Sequence, residues 1–207
     1  MKKTLYVLAT IAAIFVVAAA FIPRATAGYQ PGDKAKDFSL KNVDGQMYSL
    51  KNNTSAKGFI VVFTCNHCPF SVKYEDRIIE LHKKYVALGY PVVAINPNDP
   101  VKQPEDSFDE MKVRAKEKNF TFPYLYDSTQ EIAKAFGAAR TPHVFVLKKA
   151  GSDLVVEYIG AIDDNAHDAS KAQKKYVETA IDELLSGKKP STPQAKAIGC
   201  TIKWKDA

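Results

Sequence analysis

Hydrophobic positions define a strand, a helix and a second strand in the first half of the chain. The run Gly58–Phe63 is continuously apolar and rich in β-branched and aromatic side chains, which predicts a buried central strand. After Pro69, apolar residues recur at steps of four and three until Gly89, which predicts one amphipathic helix. A short apolar run over residues 92–95 predicts the second strand. The apolar positions of the helix are Phe70, Tyr74, Ile78, Leu81, Tyr85 and Leu88.

Turn and cap residues predict the elements around this unit. The turn Asp44-Gly45 and the loop 150–152 each separate two strand-like runs, as in β-hairpins. The predicted elements are hairpins over 37–50 and 144–159, a helix capped by Ser107 that reaches about residue 119, a shorter helix capped by Ser128 that ends at Gly137, and a last helix over about 169–185. Their order predicts an α/β fold with a mixed central sheet and helices on both faces.

The N-terminal residues predict a targeting segment. Lys2 and Lys3 precede an uncharged run from 5 to 22, and residues 23–27 then offer the small-x-small pattern of a signal-peptidase site. We interpret residues 1–27 as a signal peptide that is cleaved before Gly28. The alternative is an uncleaved membrane anchor, because a run of 18 residues is just long enough to span a bilayer. Either way the domain is predicted to be periplasmic or secreted, or anchored on the non-cytoplasmic side.

Composition places the rest of the chain in one soluble domain. The 207 residues are 46% hydrophobic and 25% charged, which excludes collagenous, disordered and polytopic membrane proteins. The net charge is +6. Half of it comes from residues 1–27, so the domain itself gives no indication of nucleic-acid binding. Residues 28–187 are predicted to form the domain, and residues 188–207, which hold five lysines, a solvated basic tail.

The candidate chemistry is concentrated at Cys65-Asn66-His67-Cys68, between the end of the central strand and the start of the helix. Two intervening residues let both sulfurs meet on one side of the first helical turn. The positive end of the helix lowers a thiol pKa there, and a charged His67 would stabilise the thiolate further. These features predict a redox-active dithiol. The alternatives are an inert disulfide, or a zinc site completed by His67 and His143, although no second C-x-x-C exists.

Several motifs together resemble the thioredoxin-fold redoxin family, near its peroxiredoxin-like and membrane-tethered thioredoxin-like branches. They cover nearly all of residues 30–187 and are Pro31-Gly32-Asp33, residues 37–40, Asp44-Gly45, the segment from Cys65 to Pro69, and Thr141-Pro142. The resemblance implies a thioredoxin-like fold with an N-terminal hairpin extension, and a thiol–disulfide oxidoreductase that needs no cofactor or metal. It also implies that Pro142 is cis beside the cysteine pair, where Thr141 pairs with an extended client segment. Client proteins with thiols or disulfides and an upstream redox partner are the expected partners.

Three departures limit what the resemblance implies. Thr64 stands where thioredoxins usually have Trp, and Phe59 stands where thioredoxin has a buried acid, so no acid is assigned to proton transfer. The peroxiredoxin signature Pro-x-x-x-Thr/Ser-x-x-Cys would require other residues at Gly58 and Val62. A thiol peroxidase is therefore the disfavoured alternative. A non-catalytic module that binds a metal or a partner on the same fold is the other.

The three cysteines receive different roles in the mechanism that the sequence predicts. Cys65, expected to be the exposed thiol, attacks a client disulfide, and Cys68 resolves the mixed disulfide. The direction of electron flow is left open, since His67 favours an oxidant and the tethered relatives are reductases. The resemblance to the peroxiredoxin-like branch, in which some tails end in a similar Gly-Cys segment, implies that Cys200 is a candidate third redox thiol that folds back on the pair. The other interpretation is that its apolar segment, with Trp204, packs on the domain with the thiol buried.

Overall fold

The computed structural model describes residues 28–206. The predicted targeting segment, residues 1–27, lies outside the described residues. Within 28–206, none of the helices combines the length and the hydrophobicity that crossing a bilayer requires.

An eight-stranded mixed sheet forms the centre of the molecule. Its strands are β1 (Lys34–Ala35), β2 (Ser39–Asn42), β3 (Met47–Ser49), β4 (Gly58–Phe63), β5 (Val92–Asn96), β6 (Tyr124–Tyr126), β8 (His143–Ala150) and β9 (Asp153–Gly160), in the spatial order β1-β9-β8-β4-β5-β6-β2-β3. Strands β4, β5 and β6 run parallel, and the other pairings are antiparallel. A separate two-stranded ribbon pairs β7 (Arg140–Thr141) with β10 (Cys200–Thr201). The predicted central strand and both predicted hairpins are confirmed.

Within residues 28–206, four α-helices cover the two faces of the sheet. They are α1 (Pro69–Tyr85), α2 (Phe108–Glu117), α3 (Glu131–Phe136) and α4 (Tyr176–Leu185). Alternate side chains of β4 point into two separate cores. Ile60 and Val62 pack in the core that α1, α2 and α4 cover, whereas Phe59 and Phe63 pack in the core that contains α3. Helices on both faces are therefore confirmed.

Two helix boundaries differ from the prediction. The last helix begins at Tyr176, because residues 169–171 form only a single 3₁₀ turn capped by the side chain of Asp168. The α3 helix begins after Gln130 rather than at a Ser128 cap. Gln130 is buried in a left-handed conformation, and its amide donates to the carbonyls of Pro97 and Lys203, at 2.7 and 2.8 Å. The start of α3 is therefore held by bonds to distant segments, and Asp127 accepts from the Ala133 amide in its first turn, at 2.8 Å.

The C-terminal segment runs along the domain instead of extending into solvent. The Pro193 carbonyl accepts a hydrogen bond from the Ile159 amide, and the Ala195 amide donates one to the Ile159 carbonyl, at 3.0 Å each. Ile202 is only 4% exposed and joins the core that contains α3. The lysines of this segment remain mostly exposed, so its charge is solvated while its backbone is docked.

Candidate active site

The cysteine pair lies at the carboxyl end of β4, where the chain turns into α1. All three cysteines of the chain fall within residues 28–206, and each is a free thiol. Cys68 is the N-cap of α1 in an extended conformation, and Pro69 follows as the first helical residue. The predicted exposure of Cys65 is wrong: its side chain is 2% exposed and that of Cys68 is fully buried. The side chains of His67, Ser71 and Thr141 surround the Cys65 sulfur, at 3.8, 3.8 and 3.3 Å.

Thr141 contacts both cysteines, one through its side chain and the other through its backbone. Its hydroxyl lies 3.3 Å from Cys65 Sγ, and its carbonyl oxygen lies 3.1 Å from Cys68 Sγ. The peptide bond between Thr141 and Pro142 is cis. The loop between α3 and β8 thus forms one wall of the site, directly against the two sulfurs.

The two thiols of the pair differ in how readily they ionise. Hydrogen bonding from Cys65 is the largest effect that lowers the pKa of Cys68, to about 4, and bonds from Cys200 and the Ser71 amide add to it. The Thr141 carbonyl oxygen, which can only accept, disfavours the thiolate of Cys68. The bonds from Cys65, Cys200 and Ser71 have the larger effect, so the pKa is lowered. The pKa of Cys65 is raised, because Cys65 shares its proton with Cys68, is buried and faces Asp106. These opposite shifts favour ionisation of Cys68 before Cys65.

Asp106 holds the two residues between the cysteines in place. It is fully buried just before α2. Its Oδ1 accepts from the amides of Asn66 and His67, at 2.7 and 3.2 Å, and its Oδ2 accepts from Asn98 Nδ2 at 2.7 Å. The same Oδ2 lies 2.5 Å from His67 Nδ1. One carboxylate therefore fixes the Cys65–Cys68 loop to the loop that follows β5.

His67 is oriented by this carboxylate more than by the thiol. Its Nδ1 lies 2.5 Å from Asp106 and 3.8 Å from Cys65 Sγ. Cys65, His67 and Asp106 form the single group within residues 28–206 whose ligand atoms all lie close enough to share a metal ion. That set differs from the zinc alternative of the sequence, which needed Cys68 and His143. Three ligands also fall short of the four that a closed structural zinc site requires.

Among the hydrogen bonds of residues 28–206, those of His143 do not involve the sulfurs. Its Nδ1 accepts from the Ala139 amide at 3.4 Å, and its ring packs against Phe145 with the centroids 4.8 Å apart. Burial, with a smaller effect of Arg140, lowers the pKa of His143 to about 4. The imidazole is therefore neutral at pH 7.

Cys200 reaches the same site from the opposite direction. Strand β10 pairs antiparallel with β7, and Cys200 stands directly opposite Thr141 in the register. Its thiol interacts with the Cys68 sulfur, and the Cys200 side chain keeps partial exposure. Burial raises the pKa of Cys200 to about 11, and the neighbouring Cys68 contributes. All three sulfurs of the chain are thus gathered around Thr141.

Asp106 and Asn66 are the residues that sequence analysis missed. Asn66 accepts from the Tyr124 hydroxyl at 2.9 Å and donates to the Glu105 carbonyl at 2.7 Å. One signal was available. The strands β4 and β5 are consecutive, apolar and parallel, so the polar loops after them meet at the same edge of the sheet. The Asn-, Asp- and Pro-rich stretch 97–106 is the loop after β5.

Comparison with known proteins identifies the family. The AhpC/TSA family matches residues 31–158, more than half of the chain. The chain belongs to the AhpC/TSA family. Among curated relatives, the thiol-disulfide oxidoreductase ResA of Geobacillus thermodenitrificans is 26% identical over 153 residues, which cover 72% of this chain and 81% of ResA.

Two solved structures show the same fold. A conserved protein of Geobacillus kaustophilus is 38% identical and superposes with a TM-score of 0.79, covering 86% of this chain and 93% of that one. A thioredoxin-family thiol:disulfide interchange protein of Chlorobium tepidum gives a TM-score of 0.52 over 64% of this AhpC/TSA chain and 87% of its own, at 22% identity. The second likeness concerns the fold alone. The predicted redoxin membership and thioredoxin-like fold are confirmed.

Proposed function

We propose that this chain is a thiol–disulfide oxidoreductase that exchanges disulfides with client proteins through Cys65 and Cys68. The observation that supports it best is the placement of two buried free thiols, two residues apart, at the start of α1, with Thr141 against both sulfurs. The lowered pKa of Cys68 favours a thiolate that can take part in exchange at neutral pH. Belonging to the AhpC/TSA family and resembling ResA agree with this chemistry.

The exchange proceeds in two steps. As Cys65 attacks, its shared proton passes to Cys68, and the charge moves to the sulfur that faces the Thr141 hydroxyl. A bond forms between Cys65 and one client sulfur, the client disulfide breaks, and the second client sulfur leaves as a thiol after taking up a proton. Cys68, deprotonated again, then attacks Cys65 and releases the first client sulfur. The client gains the two electrons that the pair loses, and oxidation of a client is the reverse.

The electrostatics favour the oxidising direction. Donors around Cys68 stabilise its thiolate, and a stabilised thiolate favours the reduced form of the enzyme. Such a pair accepts electrons from client dithiols more readily than thioredoxin does. Peroxide reduction is less well supported, because Gly58 and Val62, both buried in β4, stand where the peroxiredoxin signature has Pro and Thr or Ser.

Equilibration with glutathione tests this function. We expect a reversible two-electron couple on Cys65 and Cys68, with a potential above the roughly −270 mV of thioredoxin. Cys65→Ser and Cys68→Ser should each lower reduction of insulin disulfides at least a hundredfold, since exchange needs both sulfurs. Circular dichroism of each variant checks that it folds. An absent couple would point to the non-catalytic module, and a Cys65→Ser variant with full insulin activity would exclude the proposed chemistry.

We propose an extracytoplasmic location for the enzyme. The argument is the pattern of residues 1–27, a basic start, an apolar run and a small-x-small end. In that location disulfide exchange is a common requirement. Expression of the full chain in a bacterium, followed by N-terminal sequencing of the exported protein, should give a mature protein that begins at Gly28. An intact Met1 on membrane-bound protein would favour the anchor instead.

A further inference from the structure

The C-terminal segment 199–205, here named the tail strand, lies where a client segment was expected. The Thr141 edge was predicted to pair with an extended client, and β10 of the tail strand pairs with it instead. The Arg140 guanidinium donates to the Gly199 carbonyl at 2.9 Å, and the Ile202 amide donates to the Ala139 carbonyl at 3.3 Å. The chain therefore holds its own segment in the position of a bound client strand.

The approach between the tail strand and Thr141 is too close for a side chain. A Cβ added to Gly199 would lie 2.2 Å from the Thr141 carbonyl oxygen and 2.7 Å from the Thr141 carbonyl carbon. Glycine is required here because of this approach. Any larger residue would push the strand away from the Thr141 edge, and with it the neighbouring Cys200.

Further bonds anchor the strand beyond Cys200. Asn98 accepts from the Lys203 amide at 2.9 Å, and Asp99 donates its amide to the Lys203 carbonyl at 2.9 Å. Gln130 donates to that same carbonyl and accepts from the Lys205 amide at 2.8 Å. Cys200 is thus placed beside Cys68 by bonds on both of its sides.

The three cysteines differ in burial, which suggests that a disulfide can move from the buried pair to the more exposed Cys200. Cys65 and Cys68 are buried while the tail strand is docked, whereas Cys200 keeps partial exposure. A disulfide between Cys65 and Cys68 would be enclosed. A disulfide between Cys68 and Cys200 would have one sulfur within reach of a partner.

We propose that Cys200 is a third redox-active cysteine, which exchanges with the Cys65–Cys68 disulfide and moves the oxidised bond to Cys68–Cys200. The inference rests on the proposed function, which supplies the first disulfide. Cys200 attacks Cys68, the bond between Cys68 and Cys65 breaks, and the proton of Cys200 passes to the departing Cys65 thiolate. One disulfide replaces another, so the step needs no external oxidant or reductant.

This transfer of the disulfide to Cys68–Cys200, here called the relay, determines what kind of partner can return the cysteines to thiols. A protein dithiol attacks the exposed Cys200 sulfur, forms a mixed disulfide and resolves it with its second thiol. The partner loses two electrons, and Cys68 and Cys200 return to thiols. A partner of this kind needs access only to the tail strand, not to the buried pair.

Matched cysteine variants test the new bond. We would equilibrate Cys65→Ser and Cys68→Ser in oxidised and reduced glutathione, alkylate the free thiols and digest with trypsin. The expected product in Cys65→Ser is a disulfide between peptides 58–73 and 197–203, at least tenfold more abundant than in Cys68→Ser. Only the first variant retains the two sulfurs that interact, so equal yields, or glutathione adducts without the link, would overturn the relay.

Two substitutions in the tail strand test whether the link needs the position of Cys200 and not only the presence of its thiol. Gly199→Ala, added to Cys65→Ser, keeps Cys200 but should lower the yield of the link at least tenfold, because Thr141 leaves no space for a Cβ. Thr201→Ser, at an exposed side chain, is the matched control and should leave the yield unchanged. An unchanged yield with Gly199→Ala would contradict the placement.

The failure of the relay is distinguishable from failure of the proposed function. With a protein dithiol as electron donor, Cys200→Ser should turn over at least tenfold more slowly, while its Cys65–Cys68 couple with glutathione persists. If that couple is absent even in the wild-type protein, the proposed function fails. If the couple is present and Cys200→Ser turns over as fast as the wild type or faster, the tail strand only covers the pair and the relay is wrong.

Discussion

At the scale of single residues, the site depends on which sulfur holds the negative charge. Cys65 and Cys68 are two residues apart and both buried, yet the pKa of one is raised and that of the other lowered. The difference comes from donors. Cys68 receives hydrogen bonds from Cys65, Cys200 and the Ser71 amide, whereas Cys65 faces the carboxylate of Asp106. The hydrogen-bond donors and charges near each sulfur thus decide which of the two similar thiols ionises first.

The thiolate should be visible in a pH titration of the reduced protein. We expect absorbance near 240 nm to appear with a midpoint near pH 4, because the pKa of Cys68 is lowered to about 4. Cys68→Ser should lose this step, and Cys200→Ser should move it upward by removing one donor. A first midpoint near the ordinary thiol value of about 8.5 would contradict the arrangement.

The same lowered pKa makes the stability of the reduced protein depend on pH. Ionised Cys68 is favoured in the folded state, so its contribution is complete above the unfolded pKa of about 8.5 and is lost as pH falls through about 4. Urea unfolding of reduced wild type and Cys68→Ser should therefore give free energies that diverge as pH rises from 4 to 8. Curves that stay parallel would indicate that the thiolate is not stabilised.

At the scale of elements, the loops after β4 and β5 act as one unit because Asp106 joins them. We expect Asp106→Asn to keep an acceptor for the Asn66 and His67 amides and to lose only the acceptor for Asn98, so its fold should be destabilised less than that of Asp106→Ala. Asp106→Ala leaves buried donors without a partner and should destabilise the fold by about 1–3 kcal/mol for each. Urea denaturation measures both variants.

The charge of Asp106 has a separate effect. Its carboxylate is one of the causes of the raised pKa of Cys65, so Asp106→Asn should lower the pH at which the second thiol ionises. Iodoacetamide alkylation as a function of pH reports that step. Equal loss of stability in both variants, with an unchanged second ionisation, would rule out this role of the carboxylate.

Elements with a strong periodic pattern were predictable from the sequence. The β4 run and the apolar face of α1 are continuous enough to define both their type and the position of the cysteines. Strands β7 and β10 were missed because each has two residues, and their pairing depends on where the tail strand docks. Asp106 was missed for a related reason, since a polar loop residue acquires its role only when two strands become neighbours.

At the scale of the whole molecule, residues 188–206 pack on the domain, and the tail strand among them covers the site. Gly160 lies against the backbone of Ala195, where a Cβ would be 2.2 Å from the carbonyl oxygen, and Ile202 is inserted in a core. Composition suggested a boundary at residue 187, between the domain and a basic tail. In the structure, the segment after residue 187 packs against the domain before it.

Removal of this region should expose the pair. A variant that ends at Gly187 loses the partner of β7 and the donor from Cys200. We expect Cys65 and Cys68 to react with iodoacetamide at least tenfold faster in this variant than in Cys200→Ser, which keeps the strand. Similar rates in the two variants would mean that other parts of the domain enclose the sulfurs. Circular dichroism checks whether the shortened domain remains folded.

The short pairing of β10 with β7 has a kinetic consequence. Two residues of strand and a few side-chain bonds can open locally while the eight-stranded sheet stays intact. A large client that must reach Cys65 reacts only during such openings. Its rate is then the fraction of time the segment is open multiplied by the rate of the chemical step. The amide of Ile202, which bonds across this seam, would report that fraction by hydrogen exchange. Under the proposed function, turnover with such a client would be limited by the opening of the tail strand.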